Sequence, residues 1–176
     1  QIVLSQAALW NIAYQPIDVI IARADQSVLW HACPYCSLEF SCRAAARLEP
    51  GGLFCQRFQQ IDLGPGPMCV LARTMQAAFP HVVAVETGRG EIVMIGTNSE
   101  AGVIQKGFKE RLQRSHVRRA LARMGWDWTV PLNLVAFQND SLAELASQES
   151  SGINTAANGE FAFTLPQEVM RWGNKL

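Results

Sequence analysis

The chain has 176 residues, and its 15 Lys and Arg balance 15 Asp and Glu to a formal net charge of zero. Hydrophobic residues make up 49% and charged residues 17%, a composition that excludes a disordered chain and suits a domain with a sizeable core. A neutral chain has no overall field to attract nucleic acid, and we expect no nucleic-acid partner.

The N-terminal residues 1–13 are apolar but short, without a basic leader or a cleavage site. They predict neither a signal peptide nor a membrane segment. Because the first residue is Gln1, we expect the chain to be part of a longer protein. Five cysteines, an odd number, do not make a disulfide framework and favour a reducing, cytoplasmic location.

Short apolar runs alternate with helical stretches in the first half. Residues 2–5 are a β-branched run, residues 7–14 have helical composition, and residues 16–22 are an unbroken apolar run typical of a buried parallel strand. Residues 37–48 predict a helix that ends at Pro50-Gly51-Gly52, because proline and glycine stop helices.

The remaining elements change in character along the chain. The pattern predicts a strand over 53–58, a helix over 68–79, and strands over 81–86 and 91–96 that form an antiparallel hairpin around Thr87-Gly88-Arg89-Gly90. Beyond residue 98 it predicts mostly helix, over 106–124 and 132–146, then a polar, turn-rich stretch and a short apolar run, at 147–159 and 161–165.

Alternating strands and helices imply β-α-β units in a doubly wound sheet. We therefore predict an α/β fold whose sheet is mostly parallel and ends in the antiparallel hairpin. Residues 1–98 would form half of this domain, and residues 99–176 a helical C-terminal extension and tail packed on it.

Several segments resemble one family in their order and spacing. Leu48-Glu49-Pro50-Gly51-Gly52 resembles the turn that leads into the fifth strand of methyltransferase-like Rossmann domains. Within that superfamily the chain resembles the C-terminal part of spermidine synthases (polyamine aminopropyltransferases), in the segments Asp18-Val19-Ile20-Ile21, Ser37-Leu38-Glu39-Phe40, Pro50-Gly51-Gly52-Leu53-Phe54-Cys55-Gln56, Phe79-Pro80-His81-Val82, Ile92-Val93-Met94-Ile95-Gly96 and Ile153-Asn154-Thr155-Ala156-Ala157-Asn158.

The resemblance implies a nucleoside site whose parts this chain lacks. The family's glycine-rich loop is not found before Asp18, and the chain would begin near the family's third strand. Gln6, followed by Ala7, would stand where an acidic residue addresses the adenine. We therefore expect no cofactor in this chain, and an S-adenosylmethionine-type nucleoside only if the missing half were restored.

The family's catalytic loop is also altered. The resemblance places Arg23 on the catalytic aspartate position, and Asp25 and Gln26 follow in the same loop. A guanidinium cannot act as a general base near neutral pH. The loop is therefore expected to be eroded or to serve another purpose.

Two cysteine patterns suggest other chemistry. Cys33-Pro34-Tyr35-Cys36 matches the glutaredoxin redox motif, and Thr129-Val130-Pro131 resembles that family's cis-proline segment, but the two lie too far apart in the sequence. His31, Cys33, Cys36 and Cys42 could hold zinc, although core or loop cysteines are the simpler interpretation and no metal is expected.

One stretch is strongly basic, and it contains a single acid, Glu110. A solvated helix face is the simplest interpretation, while an anionic lipid surface, a nucleic acid or an acidic partner domain are alternatives. Its basic residues are Lys106, Lys109, Arg111, Arg114, His116, Arg118, Arg119 and Arg123.

The sequence favours a spermidine-synthase-like domain without catalytic activity in this form and with a binding or structural role. Part of an active aminopropyltransferase, with its N-terminal half absent, and a thiol oxidoreductase are the alternatives. An unpaired edge on the strand at 16–22 would favour aggregation. We expect the N-terminal segment, a second copy of the chain, or the missing part of the parent protein to cover that edge.

Overall fold

A computed structural model describes residues 2–3, 16–23, 34–59, 64–88, 90–134, 136–147 and 152–172. The strands are β1 (Ile2–Val3), β2 (Ile17–Arg23), β3 (Leu48–Gln59), β4 (His81–Gly88), β5 (Glu91–Thr97) and β6 (Ala136–Gln138). The helices are α1 (Leu38–Ala45), α2 (Pro65–Ala78), α3 (Phe108–Leu112), α4 (Ser115–Arg123), α5 (Asn139–Ser147) and α6 (Glu160–Trp172), with a 3-10 turn at Val130–Leu132.

The six strands form one mixed sheet in the order β1-β2-β3-β5-β4-β6. The pairs β1–β2 and β2–β3 are parallel, whereas β3–β5, β4–β5 and β4–β6 are antiparallel. The predicted antiparallel hairpin is confirmed as β4 and β5. The prediction of a mostly parallel sheet is wrong. In the hairpin, β5 pairs antiparallel with β3, and β4 pairs antiparallel with β6.

The apolar run predicted as a buried parallel strand is β2. Ile17, Ile20 and Ala22 are buried, and β3 pairs with β2 along its whole length. On its other side, Ile2 and Val3 of β1 pair with Val19 and Ile20. The first of the three predicted covers for this strand, the N-terminal segment, therefore pairs with it at two residues.

The Pro50-Gly51-Gly52 segment lies inside β3 and does not precede it. The register with β2 shifts there, so that Ile17 pairs with Leu48 while Val19 pairs with Leu53. Gly51 has φ of 83°, in the left-handed region that glycine adopts most readily. The helix predicted over 37–48 consequently ends at Ala45, because the chain is already extended and paired with β2 at Leu48.

Aromatic rings link the first helix to the sheet. Tyr35 meets Phe40 edge-on with ring centroids 5.6 Å apart, and Phe40 meets Phe54 of β3 at 6.0 Å. Phe54 then stacks on Phe79, at the end of α2, at 5.5 Å. Such ring pairs add about 1 kcal/mol each beyond their burial, so this row fixes α1 and α2 on one face of the sheet.

The C-terminal region differs in detail from its predicted helices. The basic helix predicted over 106–124 is two helices, α3 and α4, separated at Gln113 and Arg114. The helix predicted over 132–146 begins as a 3-10 turn, continues as the edge strand β6, and becomes helical only at Asn139. The region beyond residue 98 thus contributes a strand to the sheet.

The last two helices pack on α2 and complete the core. Leu142 of α5 and Phe161 of α6 are fully buried in the same cluster as the aromatic row. The segments predicted over 7–14 and 4–5 lie outside the described residues.

Replacing Gly96 tests how tightly the hairpin meets α2. A Cβ at Gly96 would lie 2.6 Å from Cδ2 and Cγ of Phe79, a ring already stacked on Phe54. Because the ring cannot retreat without losing that contact, we expect Gly96→Ala to reduce the free energy of unfolding by about 1–3 kcal/mol. Urea denaturation measures the change.

Gly88→Ala is the matched control in the same hairpin. A Cβ at Gly88 meets nothing within 4 Å, so this variant should unfold at the wild-type urea concentration. Equal stability of the two alanine variants would contradict the packing described at Phe79.

Candidate functional site

The carboxyl ends of the parallel strands β2 and β3 define one edge of the sheet. β2 ends at Arg23 and β3 ends at Gln59, and the start of β5 lies beside them because Gln59 pairs with Glu91. The N-cap of α2, Gly64, follows β3 after a short connection. Open α/β sheets bind their ligands at the carboxyl ends of the parallel strands, so this edge is the candidate site.

The predicted catalytic loop leaves this edge. Arg23 is the last residue of β2 and pairs with Arg57 in the β3 register. Asp25 and Gln26, as well as Gln6 and Ala7, lie outside the described residues, so their assigned positions stay predictions.

One ion pair at this edge is well formed. Arg57 Nε donates to Glu91 Oε1 at 2.6 Å, and Arg57 Nη2 donates to Glu91 Oε2 at 3.1 Å. Both side chains are about one-third exposed or less, at 27% and 34%. This two-point geometry uses both carboxylate oxygens, so Glu91 already has a cation bound to it.

A second acid lies at the beginning of α2. Glu168 of α6 is only 8% exposed, and a Cβ at Gly64 would overlap its carboxylate. Arg171 Nη1 lies 3.5 Å from Glu168 Oε1. The N-terminus of a helix attracts anions through its dipole and its free N–H groups, and because Pro65 and Pro67 have no N–H, the dipole and the N–H of Gly66 act here. The protein's own carboxylate thus lies where an external anion would otherwise be attracted.

An apolar cavity of about 290 Å³ continues from this helix start across the hairpin to β6 and α5. Among the described residues of its lining Glu86 is the only acid, and the rest are apolar and include the half-exposed ring of Phe137. The lining residues are Gly64, Pro65, Met68, Ala84, Val85, Glu86, Ile92, Phe137, Leu142 and Leu145.

Asn154, in the segment that resembles the spermidine synthases, is buried among backbone groups. Its Nδ2 donates to the carbonyl of Cys36 at 3.0 Å, and its Oδ1 accepts from the N–H of Phe161 at 2.9 Å. Its backbone N–H donates to Thr74 Oγ1, and its carbonyl accepts from Leu38 N–H. Asn154 therefore joins the starts of α1 and α6 to the middle of α2.

Glu39 holds the other end of the same segment. Its Oε2 accepts a hydrogen bond of 2.9 Å from the N–H of Ala156. This bond lowers the pKa of the Glu39 carboxyl below its ordinary value. The segment at residues 153–159 is thus attached to α1 by both a buried amide and a surface carboxylate.

Cys36 of the predicted redox motif is buried against the sheet. Gln56 Nε2 donates to the carbonyl of Tyr35 at 2.8 Å and to Cys36 Sγ at 3.5 Å. The residue that caps α1 is Ser37, whose hydroxyl accepts from the N–H of Phe40. Cys33 lies outside the described residues, so a redox pair stays a prediction.

The residues of the predicted cis-proline segment and of the predicted zinc site lie in different parts of the chain. Pro131, from the segment that resembles a cis-proline loop, lies in the 3-10 turn Val130–Leu132. Cys42 is exposed on α1, while His31 and Cys33 of the proposed zinc set lie outside the described ranges. Among the residues that the structure describes, no group of three metal-binding side chains comes together.

Cys55 was not singled out by its sequence. It lies in β3, opposite Ile21 of β2 and Ile95 of β5, and burial raises the pKa of its thiol to about 11. A thiol in this environment remains protonated and unreactive at neutral pH.

No protein-family model matches the chain, and no curated protein does. Among solved structures, the chain is similar to one described as a probable spermidine synthase from Corynebacterium glutamicum ATCC 13032, with 19% identity and a TM-score of 0.49. The match covers 88% of this chain and 54% of that one, so the chain spans about half the length of that protein.

None of the helices in the described ranges combines the length and the hydrophobicity that a membrane crossing requires.

The buried amide of Asn154 can be tested by Asn154→Ala. The substitution leaves the Cys36 carbonyl and the Phe161 N–H without their partner, and each unsatisfied buried group costs about 1–3 kcal/mol. We expect urea denaturation to give a total loss of roughly 2–4 kcal/mol.

Asn133→Ala is the control, because Asn133 is exposed and the hydrogen bond that its side chain donates goes to the exposed carbonyl of Thr129. It should change stability by less than about 0.5 kcal/mol. A similar small loss at Asn154 would show that its bonds do not hold the segment.

The raised pKa of the Cys55 thiol predicts that the stability of the fold depends on pH. Its pKa rises from an ordinary 9.0 to about 11 in the folded chain, so the unfolded chain releases this proton first as the pH rises. The stabilisation is complete below pH 9 and is lost between pH 9 and 11, by roughly 2 kcal/mol. Urea denaturation at about pH 8 and about pH 11 measures the loss.

Cys55→Ala should weaken this dependence, whereas Cys42→Ala should retain it because Cys42 is exposed. If the wild type and Cys55→Ala lost stability equally between the two pH values, the thiol of Cys55 would not be the titrating group.

Proposed function

We propose that the chain is a spermidine-synthase-like domain that performs no aminopropyl transfer in this form and has a binding or structural role. The supporting observation is the state of the acids at the carboxyl edge of the parallel strands. Glu91 is bound at both oxygens by Arg57, and Glu168 lies buried at the start of α2.

Aminopropyl transfer needs acids at this edge for two reasons. The attacking amine must lose a proton to a base, and a polyamine is a cation that needs carboxylates around it. Arg23 closes β2 at the place that the family resemblance gives to the catalytic acid, and a guanidinium neither accepts a proton nor attracts a cation. The arrangement therefore favours a fold that has kept its sheet and lost this chemistry.

Turnover and binding measurements on the chain test this proposal. Decarboxylated S-adenosylmethionine and putrescine are supplied together, and release of methylthioadenosine is followed by chromatography. An active spermidine synthase in the same assay is the positive control. We expect no release above the protein-free rate, and release that increases in proportion to the chain concentration would refute the proposal.

Calorimetry with S-adenosylmethionine, its decarboxylated form and methylthioadenosine separates loss of binding from loss of chemistry. We expect no saturable heat from any of the three. Saturable binding without turnover would support a nucleoside-binding role, and binding with turnover would support the alternative, an active transferase domain.

A further inference from the structure

A basic arm, defined as residues 106–123 with α3 and α4, carries seven of the chain's 15 Lys and Arg and only one acid. Arg111 is half-buried, and the other six cations are exposed. The rest of the chain therefore carries an excess of six acids, although the whole is neutral. Charge is thus strongly separated along a chain whose total is zero.

Two cations of the arm donate hydrogen bonds to neutral groups. Arg111 donates to the side chain of Gln105 and to the carbonyl of Lys106, and Arg119 donates to the carbonyl of Ser115. Within the described part of the chain, none of the seven forms an ion pair with an acidic side chain. Hydrogen bonds from Thr129, and then the charge of Arg118, hold the pKa of the exposed Asp127 carboxyl below its ordinary value. The charge of the other cations remains available to a partner.

The arm is electrostatically unfavourable on its own. In α4 and at its N-cap, Arg114 precedes Arg118 by four residues, and Arg119 precedes Arg123 by four. Like charges at this spacing destabilise a helix by about 0.2–0.5 kcal/mol per pair. Only Leu121 of α4 is buried, so little packing offsets the repulsion. An acidic surface placed against the arm would offset this repulsion between its cations.

The same chain carries a matching acidic region. Residues 127–168 contain six Asp and Glu and no Lys or Arg. Asp140 and Glu144 are exposed on α5, four residues apart and therefore on one helix face. Asp140 also lines a cavity of about 430 Å³ with Glu100, between residues 100–104 and the start of α5. We call this cavity and the adjoining face of α5 the acidic groove.

We propose that the basic arm of one chain binds the acidic groove of a second copy. The arm and the groove are different surfaces, so two copies can exchange them reciprocally about a twofold axis or continue the contact into longer assemblies. A second copy fits better than a nucleic acid or an anionic membrane, because those polyanions would be repelled by the six excess acids outside the arm. The proposal does not depend on the function proposed above.

Light scattering after size exclusion tests association of the whole chain. At about 50 mM salt we expect a mass of at least twice 19.4 kDa, and at about 500 mM salt the single-chain mass, because screening shortens the reach of the charges. A single-chain mass at both salt concentrations would overturn the proposal.

Charge-reversed variants test the two surfaces separately. Arg118→Glu with Arg119→Glu reverses two charges on α4 and lowers the net charge of the arm from +6 to +2, and Asp140→Lys with Glu144→Lys reverses the charges on the face of α5. Each double variant alone should self-associate at least roughly tenfold more weakly than the wild type, since like charges now face each other. Arg43→Glu, on the exposed side of α1, is the control for a reversed charge elsewhere and should associate like the wild type.

Mixing the two double variants provides the decisive measurement. The two new glutamates on α4 of one variant face the two new lysines on α5 of the other. The unchanged arm and the unchanged groove also match, so the equimolar mixture should regain association. Failure of the mixture to associate, with both variants folded by circular dichroism, would refute the pairing. If charge reversal unfolds α5, Asp140→Asn with Glu144→Gln replaces it, and this variant should then pair with wild-type chains more weakly than they pair together.

Parallel titrations decide between partner classes. Phosphatidylserine vesicles and a poly-uridine RNA are each added to the wild type at about 150 mM salt. We expect neither to bind. Capture by either one, through the residues that the arm reversal removes, would overturn the proposal in favour of a lipid or RNA surface.

Discussion

Four hydrogen bonds at Asn154 connect parts of the chain that are distant in sequence. The amide and backbone of this residue satisfy Cys36 and Leu38 at the start of α1, Thr74 within α2, and Phe161 in the first turn of α6. Buried backbone groups without partners are costly, so these bonds define where α6 can begin. The position of α6 in turn places Glu168 beside Gly64.

The position of α6 also affects the carboxyl ends of the parallel strands, where an α/β sheet would bind a ligand. Once α6 lies across the start of α2, the buried carboxylate of Glu168 is close to the N-terminus of that helix. On the neighbouring strands Arg57 and Glu91 neutralise each other. Both acids therefore contribute to the stability of the fold, and neither is left in the open, unpaired environment that acid–base chemistry requires.

Much of the sheet could be predicted from the sequence because its strands have strong local signals. β2 is an unbroken apolar run, and β4 and β5 are β-branched runs around a glycine-containing turn. β6 was missed because three residues with exposed side chains have no hydrophobic pattern, and only pairing with β4 makes them a strand. The prediction of a mostly parallel sheet is wrong for the same reason, because strand pairing depends on residues that are far apart in the sequence.

The site was less predictable than the fold. Arg23 was identified through the order of motifs, and its place at the end of β2 follows from the apolar run. The partners of Glu91 and Glu168 could not be inferred, since Arg57 is 34 residues from Glu91 and Gly64 lies more than a hundred residues before Glu168. Local patterns specify which residues are buried, whereas these contacts depend on how the whole chain returns to one edge.

The positions of the charged residues along the chain can be seen in the sequence. Whether opposite charges meet within one chain depends on the fold. A neutral total suggests weak electrostatics, yet the basic arm is followed at once by a long stretch without any Lys or Arg. The fold brings the two regions close at Arg118 and Asp127, whose charges attract each other. Elsewhere α3 packs on α4, and α5 packs on α2 through Leu142 and Ala146 with its acids outward. Most of the charge separation made by the sequence is therefore kept on the surface, where a second molecule of complementary charge would neutralise it.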